Sequence, residues 1–174
     1  MTREDQHTDL KSLRTVTGKS ADWAALAQDC VCFANGAGGR LLIGIEDGQA
    51  LPPPEQRIAP DLLDKLRKRI GELTVNVHVA PEVVCAANGG EYIALTVARS
   101  VGVASTSDGR YFMRMGDTCQ PVRGDDVLHL LNDRPGLPWE AMVLQQVSVA
   151  AADAAKVQAL VDALRASDRV KTSV

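Results

Sequence analysis

With 174 residues, the chain has room for one domain with a real core and the start of a second. A hydrophobic share of 45 % and a charged share of 24 % exclude a disordered chain, and only 3 % aromatic residues argue against a stacked-ring platform for single strands. The formal charge of -3 offers no global attraction to phosphate, so nucleic-acid binding would have to come from a local basic face.

In chain order, the apolar residues Trp23, Leu26, Ala27, Cys30, Phe33 and Ala34 recur at helical spacing, which predicts a buried helix from Ser20 to Ala34 with Ser20 as its N-cap. Asn35 and Gly36 stop it. Gly38 and Gly39 then turn the chain into the apolar run Leu41 to Ile45, which suits a central strand buried on both faces. The prolines at 52 to 54 require an extended loop, and Pro60 and Asp61 open a second helix with Leu62, Leu66, Ile70 and Leu73 along one side. Its other side carries Lys65, Arg67, Lys68 and Arg69.

Val75, Val77 and Val79 alternate with Asn76 and His78, which predicts the start of a strand. Val83 to Ala87 and Tyr92 to Ala98, joined by Asn88-Gly89-Gly90, read as a hairpin with Ile93, Leu95 and Val97 on one face. Tyr111 to Met115 predicts another strand after the Asp108-Gly109 turn. A short helix follows between Arg123 and Asn132, ended by Arg134-Pro135-Gly136. These elements place one domain over residues 1–137. Residues 138–174 are then a linker and a helix, with Val157, Leu160, Val161 and Leu164 apolar, expected to lead into a missing C-terminal domain.

Cys30, Cys32, Cys85 and Cys119 lack both CxxC spacing and a nearby histidine pair, so they read as reduced, mostly buried thiols. His7, His78 and His129 fall in different elements and read as ordinary residues. No apolar run approaches the roughly 20 residues of a membrane span, and the start is too polar for a signal peptide. The expected compartment is the cytoplasm, with no membrane partner.

The segment from Phe33 to Gly48 carries the most information. Its glycines separate a helix end from a strand, where they either expose backbone amides to a phosphate or permit tight packing. It is not a Walker loop, which needs Gly-Lys-Ser/Thr at the start of a helix. The run Phe33-Ala34-Asn35, Gly38-Gly39, Gly44 and Asp47-Gly48 resembles the signature of the Schlafen AlbA-like family. Glu4, Asp9, Leu10 and Lys11 are similar to its entry motif, and Tyr111 to Gly116, with Arg114, resembles its strand-and-turn motif.

The resemblance implies an α/β fold: a mixed, mostly antiparallel sheet with two or three packed helices. It also implies a nucleic-acid-binding module, for DNA or RNA, within a larger protein of the transcriptional-regulator kind. A second implied function is a metal-dependent endoribonuclease acting on structured RNA, with Glu4, Asp9 and Asp47 as catalytic residues and ligands of Mg²⁺ or Mn²⁺. Such clustered carboxylates bind a hard cation through oxygen, and the cation activates water. The family pattern has Glu where Asp9 stands, a reach shorter by one methylene. A third function, from an older description of the family as a divergent ATPase, is a nucleotide-binding or oligomerisation domain, and a homo-oligomer is among the partners considered. Phosphate contacts are expected from Lys11, Arg40, Arg110 and Arg114, while a solvated face or a structural salt bridge is the alternative for the basic residues.

Overall fold

The computed structural model describes residues 5–134 and 153–166. The chain divides into two compact units, 1–136 and 137–174. Glu4 lies outside the described residues, as does the segment around Pro138 where the linker was expected.

The first unit is a mixed α/β fold around a four-stranded sheet. Its strands are β1 (Thr8–Lys11), β2 (Gly39–Ile43), β5 (Glu91–Val97) and β4 (Val79–Cys85), in that spatial order. β1 and β2 are parallel, which requires a crossover, and α1 (Trp23–Asn35) supplies it; the other pairs are antiparallel. Asp22 caps α1 through a 2.9 Å bond from the amide of Ala25, in place of the expected Ser20. An Asp carboxylate one residue before the first turn reaches the free amides there, and Ser20 lies too far upstream to do so.

α1 and α2 (Leu62–Leu73) cover one face of the sheet. Leu26, Phe33, Leu66 and Ile70 meet Leu41, Ile43, Ile93, Leu95 and Val97 in one core. On the opposite face Leu10, Leu42, Ile45 and Ala94 form a second, smaller cluster, so β2 is buried on both sides as its sequence predicts. Each fully buried Leu or Ile here contributes about 1.5–3 kcal/mol, which is what fixes the register of this short strand.

The alternation expected from Val75 to Val79 does not make one strand. β3 (Thr74–Val75) pairs with β6 (Ser105–Thr106), and Asn76 then turns the chain with φ +59° before β4 begins at Val79. Asn tolerates that left-handed conformation, and its side-chain amide donates to the Val103 carbonyl at 2.9 Å, fastening the break. β7 (Tyr111–Met115) and β8 (Thr118–Val122) form a separate hairpin against α1, followed by α3 (Asp126–Asn132).

The reading of all four cysteines as thiols is corrected. Cys32 on α1 and Cys119 on β8 form a disulfide across 87 residues of sequence, leaving Cys30 buried and Cys85 exposed as free thiols. Sequence spacing cannot reveal a pairing that only the docking of the hairpin on α1 creates.

In the second unit, α4 (Ala154–Ala166) spans the expected amphipathic segment, and Val157 and Leu160 on it are exposed. Among the described residues no helix is long and apolar enough to cross a membrane.

Candidate nucleic-acid interface

Asp9 and Lys11 are two residues apart on β1 and therefore share a face, the one covered by α1. Lys11 Nζ lies 2.8 Å from Asp9 Oδ2 and 3.1 Å from Oδ2 of Asp29 on α1. Burial works against the Lys11 ammonium, but the bond with Asp9 and the charges of Asp29 and Asp9 outweigh it and hold its pKa above the ordinary value. For Asp29 burial dominates, and its carboxyl stays above the usual range although Lys11 pulls it down. The sequence offered little warning of Asp29, whose partner is 18 positions away on another element.

Arg114 is not on an open face: it is a core residue, with its side chain 3 % exposed. Its Nη2 donates to the backbone oxygens of Asp5 at 2.8 Å and Thr8 at 3.4 Å and stands 3.9 Å from Asp9 Oδ1. Its guanidinium also lies over the Phe33 ring. The expected phosphate contact therefore gives way to a structural role, tying β7 to the start of β1. In a strand half the side chains point inward, and alternation alone did not say which half held Arg114.

Asp47 sits exposed in the turn after β2. Its neighbour Glu46 accepts a 2.7 Å bond from the Ser12 hydroxyl, and Ser12 is three residues beyond Asp9, about 10 Å along a strand. Asp9 is thus brought to Lys11, Asp29 and Arg114. Among the described residues no group of three His, Cys, Asp or Glu side chains is disposed to hold a metal ion. Lys11 already occupies the place between Asp9 and Asp29 that a cation would take. Glu4, the third carboxylate of the expected set, lies outside the described residues, and no catalytic step is derived through a metal.

The glycine turn is closed by packing. The amide of Gly38 donates to Phe33 O at 2.9 Å and that of Arg40 to His7 O at 2.8 Å, so neither is bare. A methyl group on Gly39 would overlap the Phe33 ring, and one on Gly38 would come 2.9 Å from the Val97 carbonyl. The preceding Asn35 is a buried clamp. Its Nδ2 donates to Ala104 O and Phe112 O, both at 2.8 Å, and its Oδ1 accepts from Ala104 N at 2.8 Å. Arg134 adds bonds to Asn35 O and, at 3.1 Å, to Ser100 O. Asn35 and Arg134 were not among the expected functional residues; the motif position of Asn35 was their one signal.

What the turn leaves open is a shallow cleft of about 430 Å³ at the end of the sheet, lined in part by His7, Thr8, Gly39, Arg40, Thr96 and Arg99. Arg40 and Arg99 are both exposed there. Among the described residues Arg40 makes no ion pair, whereas Arg99 donates to Asp133 O at 3.3 Å. Arg110 is exposed too, but Asp108 holds it at 2.8 Å. On α2, Arg67 pairs with Asp64 and Arg69 with Glu72, while Lys65 and Arg69 flank the Trp23 ring. That cluster is a solvated face, paired at Arg67 and Arg69, with Lys65 and Lys68 exposed.

The family model described as Schlafen, AlbA_2 matches residues 4–123. The chain belongs to the Schlafen AlbA_2 family. No curated protein matches it. Among solved structures, this Schlafen AlbA_2 chain is similar to the DIP2311 protein from Corynebacterium diphtheriae, with 25 % identity and a TM-score of 0.52. The likeness covers 75 % of this chain and 24 % of that one. The AlbA_2 family is generally associated with nucleic acid.

Proposed function

We propose that the AlbA_2 domain is a nucleic-acid-binding module of a larger regulatory protein, and that it grips phosphates through Arg40 and Arg99. The observation that carries this reading is the exposure of both guanidinium groups on one cleft, with Arg40 unpaired among the described residues, in a chain whose net charge is -3. A local cationic edge attracts a polyanion even where the net charge of the chain does not. Few aromatic rings are available for stacking, so contact with the backbone dominates and sequence preference is weak. Support for a larger protein comes from the solved relative, in which this fold makes up about a quarter of a longer chain.

The test is binding of the purified chain to tRNA, duplex DNA and single strands at two salt concentrations, with and without Mn²⁺. Arg40→Ala and Arg99→Ala should each weaken binding to all sequences alike. Each should also reduce the slope of log K against log salt by about 0.9 on duplex DNA, one phosphate contact's worth. Unchanged affinity and slope in both variants would remove the cleft from the interface.

A further inference from the structure

We propose that the Cys32–Cys119 disulfide is a thiol-sensitive clasp that holds the β7–β8 hairpin, and with it Arg114, against α1. The hairpin shares no ladder with the four-stranded sheet, so its position depends on side chains and on the segments that lead into it. β7 contributes Phe112 and Arg114 to the interior and receives the Asn35 bond on the Phe112 carbonyl. β8 contributes far less. None of its residues is buried, and Cys119 is its side chain packed against the main core. The covalent bond is thus the firmest hold on the outer strand.

Its location links it to the buried charge cluster. Cys119 is the ladder partner of Arg114, and Cys32 directly precedes Phe33, over whose ring the Arg114 guanidinium lies. The disulfide therefore spans the same seam as the Arg114–Phe33 contact. Opening it frees β8 from its covalent tie to α1 and leaves it held by its ladder with β7, which Arg114 still fastens through Asp5, Thr8 and the Phe33 ring.

Access favours one direction of attack. Cys32 is fully buried, whereas Cys119 is half-buried, so an external thiolate meets the Cys119 sulfur first. The thiolate forms a mixed disulfide with Cys119, and Cys32 leaves, taking up a proton to become a thiol. A second thiolate attacks the reductant's sulfur in that mixed disulfide and releases Cys119, which is protonated in turn. In sum, two small thiols are oxidised to one disulfide while Cys32–Cys119 is reduced to two thiols. Cys30 does not compete for pairing, because it is buried away from solvent and its thiol is held protonated. In a compartment rich in small thiols the clasp opens, and in an oxidising one it stays closed.

The experiment uses the full chain prepared under air. Alkylation after denaturation without reductant should find two thiols, Cys30 and Cys85, and four after dithiothreitol. Amide hydrogen exchange should then show residues 111–122 exchanging about tenfold faster in dithiothreitol, with β2 and β5 unchanged. Cys119→Ser should exchange fast in both conditions. If that variant does not fold, a stepwise dithiothreitol titration of the native chain replaces it, and hairpin exchange must track the reduced fraction. Four thiols before reduction, or hairpin exchange indifferent to reduction, overturns the proposal.

Discussion

The guanidinium of Arg114 lies 4.4 Å from the centroid of the Phe33 ring, so that a residue of the last hairpin and a residue of the first helix share one buried contact. Cation–π attraction is strongest where water is excluded, and here the same group also donates to two backbone carbonyls. Arg114→Ala removes all of these and leaves Asp9 with one cation fewer, so it should cost about 3 kcal/mol in urea denaturation. Arg114→Lys keeps the charge but loses the planar stack, and should fall between the two. A loss below about 1 kcal/mol for the Ala variant would mean that the contact is incidental.

Asn35 satisfies three backbone groups with one side chain. In Asn35→Ala those buried groups lose their partners, at about 1–3 kcal/mol each, so the variant should be destabilised by 3 kcal/mol or more. Asn35→Asp should be no better, because a carboxylate would then face the carbonyls of Ala104 and Phe112. Equal melting temperatures for native protein and Asn35→Asp would contradict the donor assignment.

Two glycines of one motif should respond differently to the same change. In Gly39→Ala the new methyl overlaps the Phe33 ring and comes 2.7 Å from His7 O, while in Gly48→Ala it meets nothing within 4 Å and strains only a φ of +76°. Losses above about 3 kcal/mol and near 1 kcal/mol are expected, respectively. Thermal melts of the two variants side by side would check the order.

The pH dependence of stability should carry the signature of Asp29. Its pKa is raised in the fold above 3.8, mainly by burial, so the native state binds more proton than the unfolded chain between 3.8 and the raised value. Stability from this group is full below 3.8 and is lost as pH rises through that window. Asp29→Asn should flatten the slope there. Asp5, lowered mainly by the His7 amide, acts in the opposite sense: its contribution is present above 3.8 and lost as pH falls through its depressed pKa. Lys11 contributes fully below 10.5 and loses that contribution as pH rises through its raised value. Denaturation at closely spaced pH values, native against Asp29→Asn, separates these effects.

Lys11 also determines the response to metal. With its ammonium seated between Asp9 and Asp29, Mn²⁺ should leave the melting temperature of the native chain unchanged. Lys11→Ala vacates that place, and its melting temperature should rise with Mn²⁺ concentration. A rise in the native chain that Asp47→Asn abolishes would instead support the carboxylate set that the family resemblance implies.

The sequence by itself determined the elements whose signals are local. Helical spacing from Trp23 to Ala34, the apolar run from Leu41 to Ile45 and the turn residues between the Val83 and Tyr92 strands each record a burial pattern within a dozen residues, and α1, β2 and the β4–β5 hairpin follow them. The order of motifs from Glu4 to Gly116 was equally legible, and it led to the family. Tertiary structure alone decided what the charged and sulfur-bearing residues do. Arg114 turned inward because the hairpin docks on Phe33, Asp29 met Lys11 because α1 lies over β1, and Cys119 reached Cys32 across 87 residues. Arg99 joined Arg40 only when β5 paired with β2. A side chain's burial and partners depend on which elements pack together, and that is a property of the closed fold rather than of any window of sequence.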